Sequence, residues 1–387
     1  MPSLNLPLAD GSIASYTTGA PLDFAGPSRP FNRIALSAAH VVADPLAEQD
    51  PWLDVAVDWD KTVEYRRYLW SLGLGVAEAM DTAQRGMGLD WSGAQTLIRV
   101  SLAAAADTPG ASIFCGCGTD HLNPAPDVSL DDVIRAYEEQ FEFVESLGGR
   151  IILMASRALV QAANSPDDFV KVYDRLLRQV KEPVIIHWLG EMFDPALEGY
   201  WGHGEHYRAM EVVLDAIGQN AAKVDGIKIS LLDKDKEIAM RRRLPEGVRM
   251  YTGDDFNFAE LIAGDEQGHS DALLGIFDAI APAASAALSA LSGNRPDAFH
   301  QILEPTVPLS RHIFRAPTRF YKTGVVFMAF LNGHQDHFHM VGGQQSARSI
   351  LHLTELFRLA DKAGLLRDPD MAAARMRQTC ALAGIAA

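Results

Sequence analysis

The chain reads as an α/β protein, a (β/α)8 TIM barrel followed by a C-terminal helical extension, on three observations. Short apolar, β-branched runs alternate with amphipathic runs, the order expected of parallel βα units, and eight strand-like runs can be counted. No Gly-rich dinucleotide fingerprint follows an early strand, which argues against the alternative of an open doubly wound sheet. The 387 residues are 48% apolar, enough to bury the core of one barrel plus an extension.

The elements follow in order. Residues 1–29 are rich in Pro, Gly and Ser and are expected to form an N-terminal extension that wraps the barrel surface. The barrel is expected over residues 30–282, with strands at 34–37, 75–79, 112–115, 151–154, 184–186, 226–229, 249–251 and 272–277. Between them, 131–147 and 166–180 place apolar residues every three or four positions, the period of a helix with one buried face. The charged stretch 233–243 reads as a short helix between the sixth and seventh strands. Residues 283–387 turn helix-rich, with runs at 283–291, 349–363 and 371–383, and form the C-terminal extension.

Charge and composition narrow the function classes. A formal charge of −16 would repel nucleic acid and an anionic membrane, which leaves a small-molecule substrate as the expected partner. No apolar segment reaches the length of a bilayer span, and 1–27 lacks the basic start and apolar stretch of a signal peptide. A cytoplasmic homo-oligomer, a dimer or tetramer, is expected. Cys115 and Cys117 are spaced too tightly for a Cys-x-x-Cys site and Cys380 is isolated, so the three cysteines are expected to be buried thiols.

The most informative residue is Lys228, a lysine inside the apolar run Val224-Asp225-Gly226-Ile227-Lys228-Ile229-Ser230. Burial penalises its charged form and lowers its pKa, which yields an amine able to attack a carbonyl and form a Schiff base. The plain alternative is an edge-strand lysine whose stem snorkels to solvent. In a barrel, the residues just past each strand would face one pocket. They are polar here: Ser37 and His40, then Glu78, Asp81 and Thr82, then Thr119, Asp120 and His121, then Ser156 and Arg157. His187, Trp188 and Glu191 follow the fifth strand, Lys228 and Ser230 end the sixth, and Asp254 and Asp255 follow the seventh. Any one of these also fits a cap or a solvated turn.

Two spacings carry a family resemblance. Gly226-Ile227-Lys228, followed about two dozen residues later by Gly253-Asp254-Asp255, resembles the dihydrodipicolinate synthase and N-acetylneuraminate lyase superfamily of class I aldolases. The likeness extends with decreasing clarity to 73–82, 111–119, 148–154, 183–188 and Ile280-Ala281-Pro282. It implies that Lys228 is the Schiff-base residue and that Thr82 matches the first threonine of the family's Gly-Thr-Thr turn. The second threonine is Ala83 here, and Met154-Ala155-Ser156-Arg157-Ala158 has no counterpart of the family's proton-shuttling tyrosine. Ser156, Arg157 or His187 would substitute. His187 is the leading acid/base candidate because its ordinary pKa lies near working pH, with packing beside Trp188 as the alternative.

The expected function is therefore a Schiff-base lyase or aldolase acting on a small oxo acid or keto sugar. Its catalytic residues are Lys228, His187 and Thr82, and Ser156, Arg157, Asp254, Asp255 and Trp188 bind the substrate. A covalent lysine imine needs no cofactor. The glycine- and aromatic-rich stretch 190–204 is expected as a mobile cover or an oligomer contact. The first rival reading is a metal-dependent sugar isomerase, epimerase or hydrolase holding a divalent metal through Glu78, Asp81, His334 and His337. The second is a small-molecule sensor that does not catalyse.

Overall fold

A computed structural model describes residues 1–27 and 30–386. The chain opens with an antiparallel hairpin, β1 (Ser3–Pro7) and β2 (Ile13–Thr17). The next four strands are β3 (Ala35–Ala38), β4 (Gly75–Glu78), β5 (Ile113–Cys117) and β6 (Arg150–Leu153). They are followed by β7 (Val184–Leu189), β8 (Val224–Ser230), β9 (Arg249–Thr252) and β10 (Asp271–Leu274). β3 to β10 pair in parallel, each with the next, and β10 returns to β3 to close an eight-stranded barrel. The expected fold class is thus the observed one.

The eighth strand is shorter than expected. It stops at Leu274, because Gly275 turns the chain into the short helix Ile276–Ala279, whose apolar residues had extended the strand-like run. The helix Ala281–Ser292 sits in the ring outside the barrel, where Ser285 Oγ donates 2.7 Å to the Leu72 carbonyl at the end of the first barrel helix, Trp59–Ser71. The boundary expected between 282 and 283 therefore cuts through an outer-ring helix. The described part of the N-terminal segment divides its contacts, with Pro27 beside Gly73 just past the first barrel helix. Its hairpin packs on the C-terminal helices Ile350–Lys362 and Pro369–Leu382, and Tyr16 OH donates 2.6 Å to Asp361 Oδ2.

Pleat alternation divides the barrel side chains into two sets. Leu36, Ala77, Phe114, Ile152, Ile185, Tyr251 and Leu273 point inward and plug the barrel interior. The alternate residues point outward and pack beneath the helices, as Trp188 and Ile186 do on β7. The helices carry their own stop and start signals. Ser129 forms a capping box with Asp132 ahead of Leu130–Ser146, and one face of that helix is buried. Cys115, Cys117 and Cys380 are buried free thiols, and burial pushes the thiols of the first two up, which keeps them protonated. No helix among the described residues is long and apolar enough to cross a membrane.

One outer-face carboxyl sets a testable stability term. Glu237, on the helix Lys234–Arg241, is fully buried and accepts from Thr252 Oγ1 at 2.9 Å and Ser270 Oγ at 2.6 Å. Burial pushes its pKa up to about 8. Between the ordinary carboxylate range and pH 8 the folded state therefore holds a proton that the unfolded state has released. Stability should then fall as pH rises, by at most roughly 1.4 kcal/mol per pH unit from this group. Denaturant melts at pH 5, 6, 7 and 8 are expected to show a shallower decline in Glu237→Gln, and an unchanged slope would remove Glu237 as its source.

Candidate active site

Lys228 lies on the inner face of β8, one pleat step above Gly226 and paired in register with His187 on β7. It is 7% exposed, and burial pushes its pKa down against the upward pull of Asp255 and Asp81. Its stem passes over Gly253, where an added Cβ would meet Lys228 Cε at 2.7 Å and Ser230 Oγ at 2.3 Å. The glycine of the Gly-Asp-Asp turn is thus required by the close approach of β8, whose Ile229 carbonyl would lie 2.6 Å from that Cβ, with the lysine passing over the same spot. Asp255 enters the same pocket from beyond β9, with Oδ1 accepting 2.9 Å from the Ile276 backbone N–H. Burial pushes its carboxyl up while Lys228 pulls it down, so the two groups titrate as a pair.

The same pocket is lined by a pair of hydroxyls. Thr82 Oγ1 and Tyr321 OH are 2.7 Å apart, both buried. Thr82 belongs to a single turn, Asp81–Ala83, that follows β4 after Ala79 adopts a left-handed conformation at φ 54°. A non-glycine in that region is strained, and here the kink turns Asp81 and Thr82 over the barrel mouth. Tyr321 arrives from the C-terminal helix Tyr321–Leu331, and its ring stacks on Phe314 at 4.4 Å with Phe193 edge-on. Gly275 completes the fit: a Cβ there would meet the Tyr321 ring at 3.1 Å and Thr82 Oγ1 at 3.4 Å. Burial pushes the Tyr321 hydroxyl up, so it stays protonated.

The remaining expected residues separate by side-chain direction. His187 faces the cleft, its Nε2 3.2 Å from Ser230 Oγ, and burial together with the Lys228 charge pushes its pKa well down. It is a neutral imidazole there and a weak base. Trp188 is corrected from the substrate site: the next residue on a pleated strand points the other way, and its ring packs among the outer helices near His206. Ser156 is likewise corrected. It caps the helix Arg157–Ala162 by accepting from Leu159 N at 3.0 Å, and its hydroxyl lies 2.6 Å from Thr119 Oγ1. Asp254 serves its own turn, accepting from Phe256 N at 2.8 Å and Asn257 Nδ2 at 2.7 Å. Arg157 does line the cleft, paired there with Asp194.

The alternative metal ligands are not brought together. Glu78 points outward into a buried bidentate pair with Arg66, at 2.8 and 2.9 Å. His334 is wedged against the rings of Tyr65 and Tyr68, with its pKa pushed down to about 4, and His337 lies near His339. Asp81 alone of the four reaches the cleft. Among the described residues, no group of three or more His, Cys, Asp or Glu side chains is arranged to hold a metal ion. The 190–204 stretch does not form an open aromatic cover either. Tyr200 and Trp201 are buried against Phe169 and Tyr173, and only Phe193 of its aromatic residues reaches the Lys228 pocket.

Tyr321 and Lys322 were missed in the sequence. Both open a run, Tyr321-Lys322-Thr323-Gly324-Val325-Val326-Phe327-Met328, that places a lysine at the head of an apolar segment. That is the signal that singled out Lys228. Arg85, also missed, braces the cleft wall by donating to Asp120, to Gln140 Oε1 at 2.7 Å and to the Gly116 carbonyl at 2.7 Å.

A closed barrel with a buried lysine on the inner face of its sixth strand defines a (β/α)8 protein with the fold of the dihydrodipicolinate synthases. The dihydrodipicolinate synthase from Aquifex aeolicus superposes with a TM-score of 0.65 at 12% identity, covering 86% of this chain and 99% of that one. A putative dihydrodipicolinate synthetase from Pseudomonas aeruginosa gives 0.64 at 15% identity over the same shares. YagE, a prophage protein of the dihydrodipicolinic acid synthase family from E. coli K12 solved in complex with pyruvate, gives 0.66 at 12%, again over 86% and 99%. No curated protein matches the chain in sequence. The chain belongs to the family described as "Protein of unknown function (DUF993)", which matches residues 4–385.

Proposed function

We propose that the protein is a Schiff-base lyase of the class I aldolase type, acting on a small oxo acid or keto sugar through Lys228. The observation that carries this reading is a buried lysine with a depressed pKa, sharing one pocket with a threonine–tyrosine hydroxyl pair. The unprotonated Nζ attacks the substrate carbonyl carbon. A carbon–nitrogen bond forms, the carbonyl oxygen takes up protons and leaves as water, and the resulting imine accepts the electron pair released when an adjacent bond breaks. Thr82 and Tyr321 pass protons as neutral hydroxyls, each donating one while accepting another. Asp255 and Asp81 are the carboxylates placed to start or end that transfer. The shuttle expected at His187 moves to this pair, because a depressed imidazole is a poor base and fits better as a neutral wall of the site. This chemistry supplies its own electron sink and assigns no metal.

The test is borohydride trapping with pyruvate, the ligand of the E. coli structure, alongside other oxo acids and keto sugars, followed by peptide mapping. The reduced adduct is expected on Lys228. An adduct on Lys322, the other buried lysine of the cleft, would overturn the assignment. The trapping rate also has a predicted pH dependence. The Asp255 carboxylate favours the Lys228 ammonium, so Asp255→Asn lets the lysine pKa fall further and moves the acid limb of trapping to lower pH. A limb that stays in place or moves to higher pH would show that Asp255 does not act on the lysine.

A further inference from the structure

Beside the Lys228 pocket, and sharing Asp81 and Phe193 with it, lies a second cavity whose walls carry Arg157, Arg319 and Lys322. In a chain of net charge −16 this is a local reversal of sign. Lys322 is the unusual member, being only 5% exposed. Its Nζ donates 3.2 Å to the Arg319 carbonyl and lies 3.3 Å from Met87 Sδ, and neither partner carries a charge. No carboxylate hydrogen-bonds this buried ammonium, and the charges of Asp81 and Asp194 in the same cavity offset its desolvation only in part, which leaves it suited to a bound anion. Arg319 packs over the Phe320 ring, its guanidinium carbon 5.0 Å from the centroid. Of the two carboxylates lining this cavity, Asp81 and Asp194, the second pairs with Arg157, and Arg85, also in the wall, pairs with Asp120, which leaves Lys322 and Arg319 as the cations outside these ion pairs.

We propose that Lys322 and Arg319, with Arg157 beside them, form an oxyanion subsite that holds a carboxylate or phosphate on the substrate at the end remote from the carbonyl captured by Lys228. This rests on the Schiff-base reading for the word substrate and deepens it. The substrate class becomes an oxo compound with a second, distal anionic group, and the C-terminal region supplies its recognition. Burial pushes the Lys322 pKa down to about 8, against the pull of Asp81 and Asp194, so the ammonium form dominates at neutral pH and a bound anion would hold it charged. Lysine supplies a point charge at the base of the cavity and arginine a planar fork at its rim, a pairing suited to an oxyanion.

The subsite can be tested apart from the imine. Inorganic phosphate and malonate are titrated calorimetrically into Lys228→Ala, which cannot form an imine, and into the same protein carrying Lys322→Met or Arg319→Ala. Saturable binding of at least one anion is expected, weakened about tenfold or more by each second substitution, as for a lost charge-assisted hydrogen bond. Tighter phosphate binding supports a phosphorylated substrate and tighter malonate binding a diacid. Absence of saturable binding by either anion overturns the subsite, and so does affinity unchanged in both Lys322→Met and Arg319→Ala. Because Arg319 is exposed, Arg319→Ala leaves a folded comparator if Lys322→Met destabilises the chain. Failure here with pyruvate still trapped on Lys228 removes the subsite alone, and anion binding without trapping removes the imine alone.

Discussion

Lys228→Ala is expected to give a folded protein that forms no borohydride adduct and exchanges no protons of pyruvate with solvent. The second readout follows the methyl hydrogens of pyruvate in deuterated water. An imine tautomerises to an enamine by losing one of these protons, so exchange reports the carbanion-stabilising step without knowledge of the natural substrate. Loss should be complete to background, since no other residue of the inner pocket offers a nucleophilic amine. The fold should survive, because the lysine contributes a buried charge that opposes folding, and its removal offsets part of the packing lost with its stem. Lys228→Arg gives an independent check. It keeps a cation beside Asp255 but removes the amine, so it should be as inactive as the alanine variant. Exchange within a few-fold of wild type in either variant would end the Schiff-base reading, and trapping without exchange in the wild type would favour a sensor.

The barrel was legible because its strands are short apolar runs at regular intervals, and because a lysine inside one of them conflicts with burial unless it has work to do. What the sequence could not give was side-chain direction. Every residue of β7 is buried, so its apolar run carries no alternation to show that His187 faces the cleft and Trp188 the helices. The same ambiguity hid the outward turn of Glu78 into Arg66. Tyr321 was hidden differently. It lies 239 residues from Thr82, on a helix buried along its whole length that shows no amphipathic period. The local substitutes expected for the tyrosine absent after the fourth strand are Ser156, Arg157 and His187, whereas the fold brings a phenol to the Lys228 pocket from Tyr321 in the C-terminal region. The aromatic residues of 190–204 misled because composition alone cannot separate rings that cover a ligand from rings that pin a loop to a neighbouring helix, as Tyr200 and Trp201 do.

Tyr321→Phe should separate the steps that the lysine variant removes together. The substitution deletes one oxygen and keeps the ring stacked on Phe314, so the pocket shape and the fold should persist. Thr82 loses its 2.7 Å partner, and the relay is left with one hydroxyl that can no longer accept and donate in the same step. Imine formation depends chiefly on the free amine of Lys228 and should still be trapped. Exchange of the pyruvate methyl protons depends on the relay and should slow by about 10²–10⁴-fold, the usual contribution of a positioned acid/base group. Thr82→Val should give a similar loss, and the double variant little more than either alone, because two members of one relay are not additive. Exchange at the wild-type rate in Tyr321→Phe would return the proton-transfer role to the carboxylates, with Asp81 and Asp255 the next groups to replace. A loss of trapping equal to the loss of exchange would instead place Tyr321 in the capture of the carbonyl itself.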